Sequence, residues 1–125
     1  MPEPIIPDDV REFLLKKIDS VAELEALLLL RKFAGENWTA TELAKRLYVG
    51  ESAAAELLVR LAVSGLCVAG DGFYRYQPST EEQRQTVDRL AEAYARSLIP
   101  VTNLIHAKPS RIRQFADAFR FRKGN

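Results

Sequence analysis

Hydrophobic spacing along the chain switches between helical and strand-like periods, and the switch points divide it into elements. Val10, Phe13, Leu14 and Ile18 recur at helical intervals behind Asp9 and Glu12, the spacing of a capping box, which predicts a first helix over about 10–18. Ser20 and Glu23 repeat that spacing. Behind them Val21, Leu24, Leu27, Leu28 and Leu30, with Gly35 beyond the end, predict a second helix over about 21–34. Leu29 widens its apolar face, which puts this helix at the centre of the core. Thr39 and Glu42 form a third box ahead of Ala40, Leu43, Ala44 and Leu47, a short helix near 40–47 that stops at Tyr48-Val49-Gly50. From Glu51 to about Ser64 the stripe Ala54, Leu57, Leu58 and Leu61 predicts a fourth helix, with Gly65 placed as the left-handed residue past its end. Two short helices joined by a tight, Gly-containing turn make a helix-turn-helix.

Beyond Gly65 the period changes. Leu66–Ala69 and Phe73–Tyr76 are β-prone runs flanking Gly70-Asp71-Gly72, which supplies the positive backbone angles of a hairpin turn. Pro78 ends the second run. Ser79 or Thr80, with Glu82 or Gln83 three residues on, caps a long helix whose stripe is Val87, Leu90, Ala91, Tyr94, Leu98, Val101, Leu104 and Ile105. Unbroken, that helix would run roughly 40 Å. Pro100 lies inside it, where the ring meets the carbonyl of Arg96 at a cost of ~3 kcal/mol, so a kink or break is expected there. Pro109 stops the segment, Ser110 can cap again, and Ile112, Phe115, Ala116 and Phe119 give a final helix its apolar face. The chain thus divides into residues 1–78, helix-turn-helix and hairpin with their N-terminal helices, and a C-terminal helical region, 79–125.

Residues 36–77, with the capped W-T-x-x-E-L-A-K-R-L helix, the turn, the A-x-x-L-L-x-x-L-x-x-x-G-L helix and the two-stranded hairpin, resemble the winged-helix family of bacterial transcription regulators of the MarR and PadR kind. The fold this implies is mainly α with a small β-hairpin wing, carrying a long, kinked C-terminal helical arm. The resemblance further implies DNA binding, with the second helix of the pair in the major groove and the wing on the backbone or minor groove, and homodimerisation through helices outside the winged domain.

On this sequence the contact candidates are Lys45, Arg46, Ser52, Ala53, Glu56, Arg60 and Arg75. The first turn of the would-be recognition helix offers no Arg, Lys, Asn or Gln to match a base edge, and Glu51, Glu56 and the wing-tip Asp71 face phosphates with the wrong sign. An alternative reading is a winged-helix module that no longer reads DNA and binds a protein through Tyr48, Val49 and Ala53–Ala55.

A single ~40-residue motif cannot bury a ~40 Å stripe, so Val87, Leu90, Tyr94, Leu98, Val101 and Ile105 need a partner. The N-terminal helix pair, the last helix and the same surface of a second subunit are the choices. The expectation is a dimer seam.

Net charge sharpens this picture. The whole 125-residue chain is +1, yet residues 106–125 hold Lys108, Arg111, Arg113, Arg120, Arg122 and Lys123 against Asp117 alone. This basic, Phe-bearing tail admits three roles: a clamp on DNA phosphates, a membrane-surface helix, or a structural helix docking its phenylalanines while its arginines pair with acids of the first helices.

The rest of the chain carries little chemistry. His106 is the one histidine and has no nucleophile assigned to it, Cys67 sits among apolar neighbours, and the glycines mark caps and turns rather than a phosphate loop. No enzyme activity, metal or cofactor is expected. One cysteine, no signal-peptide pattern at the N-terminus and no apolar run near the ~20 residues of a membrane span suggest a cytoplasmic protein of a reducing compartment.

Overall fold

A computed structural model describes residues 6–108. The order of elements is α1 (Asp8–Lys17), α2 (Val21–Lys32), α3 (Ala40–Leu47), α4 (Glu51–Val63), β1 (Cys67–Ala69), β2 (Tyr74–Tyr76), α5 (Glu81–Arg96) and α6 (Leu98–His106). Among the described residues the protein is therefore mainly helical with one two-stranded antiparallel hairpin, an arrangement compatible with a winged helix.

The caps show how the helices start. Thr39 and Glu42 form the full reciprocal box that opens α3, and the hydroxyls of Ser20 and Thr80 accept the N–H groups of Glu23 and Gln83 to open α2 and α5. At α2 the box is displaced by one residue, because the Glu23 carboxylate takes the N–H of Asp19 instead. The expected box at Asp9 is absent. Pro7 occupies the N-cap of α1, and with no side chain capping the helix Asp9 turns to Arg89 and Glu12 to Lys16. Proline suits this edge, since the first N–H groups of a helix lack intrahelical partners anyway.

The same rule moves the expected break in the C-terminal arm. Helix α5 ends at Ser97, which is both its C-cap and the N-cap of α6, so Pro100 falls in the first turn of α6, where its missing N–H costs nothing. Gly65 follows α4 with φ +77° and its carbonyl accepts from both the N–H and the hydroxyl of Ser79, tying the end of α4 to the start of α5.

In the hairpin Cys67 faces Tyr76 and Ala69 faces Tyr74, and the Gly70 N–H closes the turn on the Phe73 carbonyl. Trp38 exchanges two backbone hydrogen bonds with Tyr74, 2.7 and 2.8 Å, so the segment before α3 adds a one-residue third rung to the sheet. This rung ties the segment before α3 to the hairpin.

One core joins everything. Leu24, Leu27 and Leu30 of α2, Leu43 of α3, and Leu57, Leu58 and Leu61 of α4 form one side, while Val10, Leu14 and Ile18 of α1 meet the C-terminal arm on the other. Val87, Leu90, Val101 and Ile105 are fully buried within a single chain, with α5 and α6 packed on α1. The N-terminal helix is thus the partner of these four positions. They are not available to an intersubunit seam, and the core is continuous across residue 78. Of the expected seam residues only Tyr94, half-buried with its hydroxyl donating to Glu25, and Leu98, 50% exposed, keep an outward surface. No described helix is long and apolar enough to cross a membrane.

Candidate interaction surface around the turn and α4

Helix α4 buries Ala54, Leu57, Leu58 and Leu61, and at 100° per residue the opposite face is Ser52, Ala55, Glu56, Val59 and Val63. Nothing among the described residues covers it. Val59 is 49% and Val63 82% exposed. At its N-terminal end stands Tyr48, 94% exposed and in the left-handed region at φ 57°, where the C-cap of α3 turns the chain sharply toward α4.

Three of the four cations expected to contact DNA are already engaged. Arg60 donates to Asp19 at 2.9 Å, Arg75 places Nε and Nη2 on the Asn37 amide oxygen at 3.0 and 2.8 Å, and Arg46 lies over the rings of Phe33 and Trp38 at 5.1 and 5.7 Å. Lys45 is exposed with no partner among the described residues. Ser52, Ala53 and Glu56 are exposed as expected of a surface helix, and Glu51 accepts from the Thr41 hydroxyl. The helix thus presents small, apolar and acidic groups outward.

Beside it runs a groove. Ala22, Val49, Ala53 and Leu57 line a concavity of about 240 Å³ between the start of α2 and α4, rimmed by Asp19, Glu56 and Arg60. It continues, sharing Ala22 and Val49, into a second hollow of about 310 Å³ bounded by Val21, Leu47, Glu25 and Arg46. Neither Glu25 nor Glu56 forms an ion pair among the described residues. An apolar floor with a rim of mixed charge, in which Glu56 and Glu25 form no ion pair among the described residues, suits an apolar segment with polar flanks.

At the Asp19 end of this groove lies Lys108. The sequence groups Lys108 with the basic tail; it is buried, and its ammonium donates to the carbonyls of Leu14 and Ile18 at 3.1 and 2.5 Å and to Asp19 at 2.9 Å, a pairing with an acid beside the first helices. A cation at the C-terminus of α1 satisfies the Ile18 carbonyl, adds a second bond to the Leu14 carbonyl that already accepts the Ile18 N–H, and complements the helix dipole. The hydrogen bond from Lys108 also holds the Asp19 carboxyl below the usual carboxylate range, whereas burial pushes that of Glu23 up. No local pattern distinguishes Lys108 from the basic residues after it. Arg111, Arg113, Arg120, Arg122 and Lys123 lie outside the described residues.

Other chemistry is quiet. Burial pushes the Cys67 thiol up to about 11, which removes its thiolate at neutral pH, and His106 is exposed. Among the described residues no cluster of three His, Cys, Asp or Glu could hold a metal.

No protein-family model matches this chain, and no curated protein matches it. A solved structure, "Crystal structure of RV1404 from Mycobacterium tuberculosis", is similar at 16% identity and a TM-score of 0.49, covering 93% of this chain and 83% of that one. That likeness is too loose to bear on fold or function.

Proposed function

We propose that the chain is a non-enzymatic protein-interaction module of winged-helix type, which receives an apolar segment of polypeptide with polar flanks in the groove between α2 and α4. The observation that carries this reading is the groove itself: an uncovered apolar floor of Ala22, Val49, Ala53 and Leu57 beside Glu56, which forms no ion pair among the described residues. Tyr48, exposed at the mouth of the turn, supplies the rigid amphipathic ring that interfaces favour.

A photoreactive benzoylphenylalanine at position 53 of the full chain tests it. Irradiation in cells is expected to join it to a polypeptide, at a peptide in which polar residues flank aliphatic or aromatic anchors. An adduct with nucleic acid, or none, overturns the proposal.

A second reading, DNA binding as a transcriptional regulator, is favoured by the exposure of Lys45, Arg46, Arg60 and Arg75 on the half of the molecule that holds the helix-turn-helix and hairpin. Exposed ion pairs are worth little, so Arg60 remains able to exchange Asp19 for a phosphate. In this reading duplex affinity falls steeply with salt and weakens when those four residues are replaced by alanine. Binding without that dependence sinks it.

A further inference from the structure

Around Phe33 and Trp38 stands a group of cations that no carboxylate pairs. We propose that Lys32, Lys45, Arg46 and Arg75 form a second docking surface, which takes the carboxylates of an acidic polypeptide. It lies at the C-terminal ends of α2 and α3 beside β2, and it does not rest on the α2–α4 groove being filled.

Shared contacts place the four together. The Arg46 guanidinium lies 5.1 Å from the centre of the Phe33 ring and 5.7 Å from that of Trp38, and the Lys32 ammonium lies 5.6 Å from the Phe33 ring. Arg75 is held on Asn37, the neighbour of Trp38 in the chain. Asn37, Trp38, Lys45 and Arg46 line one open hollow of about 570 Å³.

Lys16, Arg31, Arg60, Arg84, Arg89 and Lys108 each sit on a carboxylate, whereas these four are exposed and form no ion pair among the described residues. Arg46 and Arg75 are held by neutral groups instead, two rings and an amide oxygen, which fix each guanidinium and leave its charge unmatched. Side chains fixed beforehand lose less freedom when a ligand arrives.

Glu36 and Glu42 line the same hollow, and Glu42 already accepts from the N–H and hydroxyl of Thr39. Set against the four cations, these two carboxylates and the roughly half-charge of each helix end still leave the surface positive. They also select the ligand. A nucleic acid strand brings a charge at every nucleotide and meets them, whereas a peptide can space its carboxylates past them.

The chain has one tryptophan, so its fluorescence reads this face. The full-length protein is titrated at low salt with a short Glu-Gly repeat peptide and, separately, with a duplex of mixed sequence. Lys32→Ala/Lys45→Ala removes two exposed cations of the surface, and Arg11→Ala/Arg96→Ala removes two exposed cations that also lack ion pairs but stand on α1 and α5. The peptide is expected to give a saturable change that weakens as salt rises. Its affinity should fall roughly fivefold or more in Lys32→Ala/Lys45→Ala and hold in Arg11→Ala/Arg96→Ala. No saturable change, no salt dependence, or an equal loss in both variants overturns the proposal. Tighter binding of the duplex, weakened by the same Lys32→Ala/Lys45→Ala pair, overturns it too. The crosslink at position 53 reads the groove and not Trp38, so either proposal can fail alone.

Discussion

Two apolar surfaces of similar appearance in the sequence meet opposite fates in the fold. On the arm of α5 and α6, Val87, Leu90, Val101 and Ile105 are sealed against α1; on α4, Val59 and Val63 stand in solvent beside a groove that no described residue fills. The difference lies in what the chain brings to each. The arm meets an N-terminal helix whose Val10, Leu14 and Ile18 match its stripe, with the Arg89–Asp9 ion pair at one end of the contact and Lys108 at the other. The α4 surface receives no such element from residues 6–108. A stripe closed within one chain is architecture, whereas the α4 stripe is left open among the described residues.

The sharpest way to break this comparison is Leu90→Ala. Deleting a fully buried leucine is expected to cost about 2–5 kcal/mol in urea unfolding, and the cost should be the same at all protein concentrations. A concentration-dependent loss would restore an intersubunit role to the arm.

Lys108→Met comes next. It leaves the carbonyls of Leu14 and Ile18 and the Asp19 carboxylate without their shared donor, for about 1–3 kcal/mol by the same measurement. A change near zero would mean that Lys108 is as dispensable as the surface cations around it.

A smaller effect is written in pH. The carboxyl of Asp19 is depressed in the folded state, first by its hydrogen bond from Lys108, so its contribution is fully present above the unfolded value near 4 and fades as pH falls through the lower folded value. Asp19→Asn should flatten the acid limb of the stability curve below about pH 4. An unchanged limb would show that the pair does not hold the charge.

Smallest is the open face. Val63→Asp, at a side chain 82% exposed, should alter stability by no more than about 0.5 kcal/mol. A large loss would place Val63 in a covered interface.

What the sequence made legible follows from the range of the interactions involved. Capping and periodicity act within a few residues, so α3, opened by Thr39 and Glu42, was readable residue for residue, as was Gly65 at the end of α4. Asp9 misled because its carboxylate found a cation 80 residues away, which no local spacing encodes. Trp38 was missed as a sheet residue for the same reason, since a single rung on Tyr74 leaves no alternating pattern.

Around the candidate site, the sequence points to Tyr48, Val49 and Ala53–Ala55 as a protein-facing surface; the structure puts Val49 and Ala53 in one groove, leaves Tyr48 and Ala55 exposed and buries Ala54 in the core, because the helical period turns that one alanine inward. Leu57 and Ala22 were absent from that reading, because a groove is made by two elements and neither stripe alone reveals it. The burial of Lys108 was not legible either. One lysine among many becomes structural only when the end of a distant helix arrives beside it.

That ammonium has a mechanical consequence. It grips the carbonyls of Leu14 and Ile18 at the end of α1 and the carboxylate of Asp19, in the short link to α2. A pull on the C-terminus is therefore borne by the joint between α1 and α2 before α6 begins to unwind. Any partner that grasps this tail holds the protein by the joint of its two N-terminal helices.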